Sequence, residues 1–206
     1  MPIEHAPFSQ TEYDRRIALT RTAMQKAGLD VLFVTDPSNQ AWLTGYDGWS
    51  FYVHQGVILG LEGEPVWWGR MMDKFGGQRT CWMADDNVIG YGDHFVQSTT
   101  YHPMQDLAEQ LRARGFERAR IGVEMENYYY SAKAHQVLSS ELRDATIQDA
   151  TAVVNWQRLI KSDEEIGFIR KAARISEKVI ETALEKAAPG VRKSDLVADI
   201  MHAGIT

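Results

Sequence analysis

A single cysteine, Cys81, stands in 206 residues. It has no partner for an internal disulfide, so packing and hydrogen bonding must hold the fold, as in proteins of a reducing compartment. Basic charge is also short. The 22 Lys and Arg stand against 28 Asp and Glu, a formal charge of −6, which argues against the basic face a duplex nucleic-acid binder presents. No apolar run approaches the roughly 20 residues that cross a bilayer. Met1 to Gln10 carries neither a basic n-region nor an apolar h-region. The expectation is a cytoplasmic protein with no membrane or nucleic-acid partner. Motifs of hydrolytic and nucleotide chemistry are missing too, with no G-x-S-x-G elbow and no P-loop. Gly90-Tyr91-Gly92 is only half of a dinucleotide fingerprint.

The hydrophobic pattern describes an α/β layer domain. Ser9 caps a helix from Thr11 that Gly28 closes. Leu29 to Thr35, LDVLFVT, is a short β-branched run and reads as a buried strand. Asp36-Pro37-Ser38-Asn39 turns and starts a short helix through Leu43. Further strands are expected at Phe51–Leu61 and Glu64–Trp68, joined at Glu62-Gly63, then at Asn87–Tyr91, Arg120–Glu124 and Thr146–Asp149. Helices are expected at Met71–Met83, His102–Arg114 and Ser131–Ser140, on both sides of a mixed sheet. The character then changes. Ser162-Asp163-Glu164-Glu165 is a cap with an acidic first turn, followed by helical periodicity to Ala188, a Pro189-Gly190 stop, and a second helix after Ser194. Two apolar helix faces with no later strand to pack against suggest the front part of a longer protein.

Six tryptophans either build a core of large aromatics or line a pocket for a small, planar or partly cationic ligand. Of the six histidines, none forms an H-x-x-x-H pair; His94 and His102 are close enough to share a site, but no acidic or cysteine partner stands at ligand spacing. No metal site is expected within the chain. Glu124-Met125-Glu126 follows a strand, where residues two apart on an extended segment diverge, so one bonded and one solvated glutamate are expected and no acid/base pair. Cys81, between Thr80 and Trp82, reads as buried filler. What remains is Gly45 to Gln55, GYDGWSFYVHQ, with a tight turn, four aromatics and His54. On a strand from Phe51, Tyr52 and His54 would share one face. A packed hairpin and a ligand-contact loop are both open from the residues alone.

Three segments carry a resemblance: LDVLFVTDPSNQAWLTGYDG, IGVEMENYYYSAKAHQVL and ATAVVNWQRLIKSDEEI. Through them residues 13 to 155 resemble the N-terminal domain of the creatinase/aminopeptidase P family. RLIKSDEEIGFIRKAARIS and PGVRKSDL resemble the opening helices of the pita-bread catalytic domain that follows it. The resemblance implies a ribonuclease-H-like α/β domain over 1–157 and the truncated start of a pita-bread domain over 158–206. GYDGWSFYVHQ, GLEGEPVWWGRMMD and RTCWM are most similar to members that open the cyclic amidine of ectoine with water. Dimethylsulfoniopropionate lyases share parts of the first segment, and Xaa-Pro peptidases and creatinase-like amidinohydrolases are the other reactions of the superfamily. In such homodimers an aromatic segment reaches the neighbouring subunit's active site. The matching residues here are Trp49, Phe51, Tyr52 and His54, with Arg70 as a cation for a small zwitterion such as ectoine. The arginine that creatinase uses slightly later is Gly56 here, which speaks against guanidinium substrates. Catalytic residues, and the ligands of any divalent metal, are implied beyond Thr206. No catalytic residue and no cofactor is therefore expected in this chain, whose isolated role would be dimerisation or gating.

Overall fold

A computed structural model describes residues 6–206; Met1 to His5, including His5 of the histidine set and half of the segment read for a leader, lie outside the described residues. The chain divides into two compact units, Met1–Leu159 and Ile160–Thr206.

The first unit opens with α1 (Gln10–Lys26). Ser9 Oγ accepts the Glu12 N–H at 3.2 Å, satisfying one of the helix's orphan donors. At the other end Gly28 takes φ 68°, and the N–H groups of Leu29 and Gly28 return to the Met24 and Gln25 carbonyls at 2.9 and 3.1 Å. That pair of bonds is a Schellman cap, and it turns the chain directly into β1 (Val31–Val34). All four residues of β1 are buried, because it lies mid-sheet with layers on both faces.

The other strands are β2 (Gly56–Gly60), β3 (Val66–Arg70), β4 (Val88–Tyr91), β5 (Arg120–Val123) and β6 (Thr146–Asp149), in spatial order β4-β3-β2-β1-β5-β6. β2 pairs antiparallel with both β1 and β3, while the pairs β3–β4, β1–β5 and β5–β6 are parallel. Five strands thus run one way and β2 alone runs back. Period-two alternation divides the core. Val31 and Phe33 pack with Trp68 against α4 (Pro103–Ala113) and α5 (Ala132–Glu141). Leu32 and Val34 pack with Trp67 against α1, α2 (Pro37–Thr44) and α6 (Val153–Gln157). Each such fully buried side chain contributes about 1.5–3 kcal/mol. The remaining helix, α3 (Met71–Thr80), follows β3 without a loop.

One expectation fails where it matters for the site. The strand expected from Phe51 begins at Gly56; residues 51–53 form a turn. The cause is a buried polar cluster. Ser50 Oγ lies 2.9 Å from both Tyr46 Oη and Gln55 Oε1, and Val53 N–H donates to the Ser50 carbonyl at 3.0 Å. These bonds fold the segment on itself, and the last takes a backbone donor and acceptor from any ladder. Tyr52 and His54 therefore do not share a sheet face. Gly56 then enters the sheet where a Cβ would stand 2.5 Å from the Phe33 ring and 2.7 Å from the Val34 carbonyl, so the position has no room for a side chain. The next strand also starts two residues later than expected, at Val66, just after Pro65, which has no N–H for the ladder.

The second unit is a helix pair, α7 (Asp163–Lys186) and α8 (Lys193–Ile205). Ser162 and Glu165 form a reciprocal capping box, with bonds of 3.2 and 2.8 Å. Ile169, Ile180 and Leu184 of α7 and Met201 and Ile205 of α8 are exposed. Among the described residues no helix is long and apolar enough to cross a membrane.

Candidate functional site

Because β2 runs against its neighbours, the segment that enters it lies at the same edge of the sheet as the carboxyl ends of β3, β4 and β5. In open α/β sheets ligands sit in the crevice outside the carboxyl ends of strands, where the topology switches direction. A concavity of about 630 Å³ lies at this edge. Its wall takes Phe51 to His54 from the turn before β2, Arg70 from the end of β3 and Tyr91 from the end of β4. Phe95 and Tyr101 from the following loop, His102 from the start of α4, and Tyr128 and Tyr129 after β5 complete it.

Four of the five candidate residues, Phe51, Tyr52, His54 and Arg70, are thus brought to one wall. The Phe51 ring is wedged edge-on between Trp49 at 4.9 Å and Tyr129 at 5.7 Å. Tyr52 stands at the rim, 73% exposed. Trp49 lies outside the wall, 82% exposed, touching it only through Phe51. Arg70 donates to Asp93 Oδ1 at 2.7 Å, and that bond raises the guanidinium's affinity for its proton. It is the lone permanently charged group in a wall without any carboxylate.

His54 is strongly perturbed. Burial first, then the neighbouring His102, pushes its imidazole down to about 4, against a weaker opposing effect from its bond to the Tyr129 backbone. It is neutral at pH 7. His102 is shifted down as well, by burial and by Lys133. Tyr91 donates to the His54 carbonyl at 2.8 Å, and burial raises its phenol.

The sequence pattern alone does not mark the tyrosines after β5, or His102 beside His54, as part of this wall. Asn127 Oδ1 accepts the N–H groups of Tyr129 and Tyr130 at 2.8 and 3.1 Å. This Asx turn leaves Tyr128 fully exposed and Tyr129 on the wall. An Asn before three tyrosines is a legible signal of that turn.

Glu124 and Glu126 divide as expected. Glu124 is 3% exposed. Its Oε2 accepts the N–H groups of Thr35 and Asp36, each at 2.7 Å, and its Oε1 accepts Asn39 Nδ2 at 2.6 Å. Glu126 is exposed. The carboxylate thus ties the end of β1 to the end of β5. Cys81 packs into the core beside Trp82, and burial pushes its thiol up to about 12, far from a nucleophile's range. His94 packs on Phe95 and Tyr101, while His102 packs on His54. Among the described residues no three His, Cys, Asp or Glu side chains are placed to hold a metal ion.

Residues 16–160 match the creatinase/prolidase N-terminal domain. The chain belongs to that family. This creatinase/prolidase N-terminal domain is 53% identical over 200 residues to the ectoine hydrolase of Halomonas elongata, a match covering 97% of this chain and 50% of that protein. It is 41% identical over 197 residues to an uncharacterised hydrolase/peptidase of Sinorhizobium fredii, covering 95% of this chain and 50% of that one. An Xaa-Pro dipeptidase from Bacillus anthracis shares the fold, with a TM-score of 0.70 at 17% identity over 94% of this chain and 49% of that chain. The chain spans about half the length of the curated relatives it matches.

Proposed function

We propose that this chain is the N-terminal part of a hydrolase that opens the cyclic amidine of ectoine, acting in the cytoplasm as a homodimer. Residues 158–206 would then open the catalytic domain, which would supply the reacting groups and the ligands of any metal. The first unit would serve dimerisation and lend its aromatic turn to the partner subunit's site. The observation that carries the reading is the concavity itself, with seven aromatic rings, a single guanidinium and no carboxylate. Ectoine is a small zwitterion with a delocalised amidinium and a carboxylate. Aromatic faces suit the first and Arg70, exchanged from Asp93, suits the second. The named function of the Halomonas elongata relative supports the same substrate.

The test uses full-length protein. His54→Ala and Trp49→Ala are expected to lower ectoine turnover at least about tenfold, roughly 1.4 kcal/mol of transition-state stabilisation, while the melting temperature barely moves. Mixing a His54→Ala subunit with one inactivated in its catalytic domain should restore part of the activity, because one site of the heterodimer is then intact. Variants that unfold early yet keep normal specific activity in their folded fraction would make the segment structural and sink the reading.

A further inference from the structure

His54 and His102 pack ring against ring on the wall of the concavity, with centroids 4.9 Å apart and planes inclined at 46°. His102 is fixed by its own helix. Its Nδ1 accepts the Met104 N–H at 3.2 Å, and its backbone N–H donates to Gln105 Oε1 at 2.9 Å, closing a capping box on the first turn of α4. A nitrogen that accepts a hydrogen bond carries no proton, so the hydrogen bonds assign the ring's proton to Nε2. Protonating Nδ1 would break the cap and place a cation at the positive end of an 11-residue helix. His54 is restrained on two sides: its carbonyl by Tyr91 Oη at 2.8 Å and its ring face by His102.

We infer that His102 is a positioning residue: locked as the cap of α4 and packed on the His54 ring, it holds that ring in one orientation, with a ring nitrogen as a fixed acceptor for a ligand N–H. An amidine offers such N–H groups, and its carboxylate-bearing form also meets Arg70, so this deepens the ectoine reading and rests on it for the ligand's name. The surroundings keep the acceptor unprotonated. Arg70 from β3, Tyr91 from β4, His102 from α4, Tyr129 after β5, Lys133 from α5 and Tyr52 from the turn itself are the titratable groups around the pair. Asp93 is the carboxylate on that side, and it is bonded to Arg70 at 2.7 Å. The Tyr129 backbone opposes burial at His54, but more weakly, so both imidazoles stay below their ordinary range.

The experiment is imidazole nitrogen NMR on this chain, comparing the parent with His102→Asn and His102→Ser, both of which retain a side-chain oxygen for the cap. The parent should show His54 as one neutral tautomer from pH 5 to 8. Each variant should show His54 exchanging between tautomers, with its midpoint raised by about half a pH unit or more once the second imidazole is gone. Reciprocally, His54→Ala should raise the His102 midpoint without altering the parent fold. A His54 signal unchanged in tautomer and midpoint in both variants overturns the positioning role. In full-length protein, His102→Asn should raise KM for ectoine more than it lowers kcat, with the acidic limb of the pH profile moved to higher pH. Changed NMR with no turnover of ectoine by the parent would discard the substrate and keep the positioning; unchanged NMR with normal turnover would do the reverse.

Discussion

Replacing Glu124 by Gln changes one oxygen to an amide nitrogen at a buried, heavily bonded carboxylate. Thr35 N–H, Asp36 N–H and Asn39 Nδ2 all point donors at it, at 2.7, 2.7 and 2.6 Å. A glutamine can turn its oxygen to the two backbone donors or to Asn39, but not to both. Asn39 cannot flip to relieve the conflict. Its Nδ2 also donates to Asn155 Oδ1 at 2.8 Å, and its Oδ1 accepts Arg158 Nη1 at 2.6 Å. One buried donor–donor contact, with weaker neutral bonds replacing charge-assisted ones, costs about 2–4 kcal/mol. For a domain of this size that is a fall of about 5–15 °C in melting temperature. Glu126→Gln, at an exposed position, is expected to move it by less than about 2 °C. Calorimetry on both variants is the assay. A Glu124→Gln protein melting with the parent would refute the claim that this carboxylate ties β1 to β5. Lost turnover at unchanged stability in the full-length form would return it to the candidates for acid/base chemistry.

Gly56→Ala should lose about 1–3 kcal/mol by overpacking, since the new methyl meets the Phe33 ring and the Val34 carbonyl; urea titration reads it, and an unchanged midpoint would mean the sheet edge is open there. Asp30 is held down to about 2, first by side-chain and then by backbone hydrogen bonds from Arg120. A carboxyl depressed in the folded state adds stability above its ordinary value and loses it as pH falls toward 2. Asp30→Asn should therefore remove a small part of the acid-side slope, small because both partners are solvent-screened, and leave the neutral side nearly unchanged. This chain alone should turn over neither ectoine nor Xaa-Pro peptides, since no nucleophile, base and stabiliser converge among its described residues; activity that tracks the chain through gel filtration would contradict that.

The central strands were legible because β1 is apolar at every position and bounded by turn residues, and the first helix because Ser9 and Gly28 mark its ends. The chain from Phe51 to Gln55 misled for a physical reason. Its aromatic, β-branched composition matches a strand, while its conformation is set by Ser50 meeting Tyr46 and Gln55, a contact between polar groups that local pattern does not weigh. Arg16 is a second case. It is a charged side chain yet fully buried, with its Nε on Glu12 at 2.7 Å, its Nη1 on the Trp42 carbonyl at 3.0 Å and its guanidinium 3.9 Å above the Phe8 ring. Charge alone does not expose a side chain when a carboxylate, a carbonyl and aromatic faces are assembled around it.

The site was legible in its parts and hidden in its assembly. Phe51, Tyr52 and His54 announce themselves as neighbours in sequence, but what makes them a wall is the reversal of β2. Had β2 run with the other strands, the chain entering it would lie at the opposite edge, away from Arg70, Tyr91 and Tyr129. The antiparallel pairing follows from a short connection, since residues 61–65 join β2 to β3, too few for a crossover, and Gly63 takes φ 75° to make the turn. A five-residue connection outside the concavity's lining thus decides which edge the aromatic turn joins. The turn's polar cluster then decides how His54 meets His102 there.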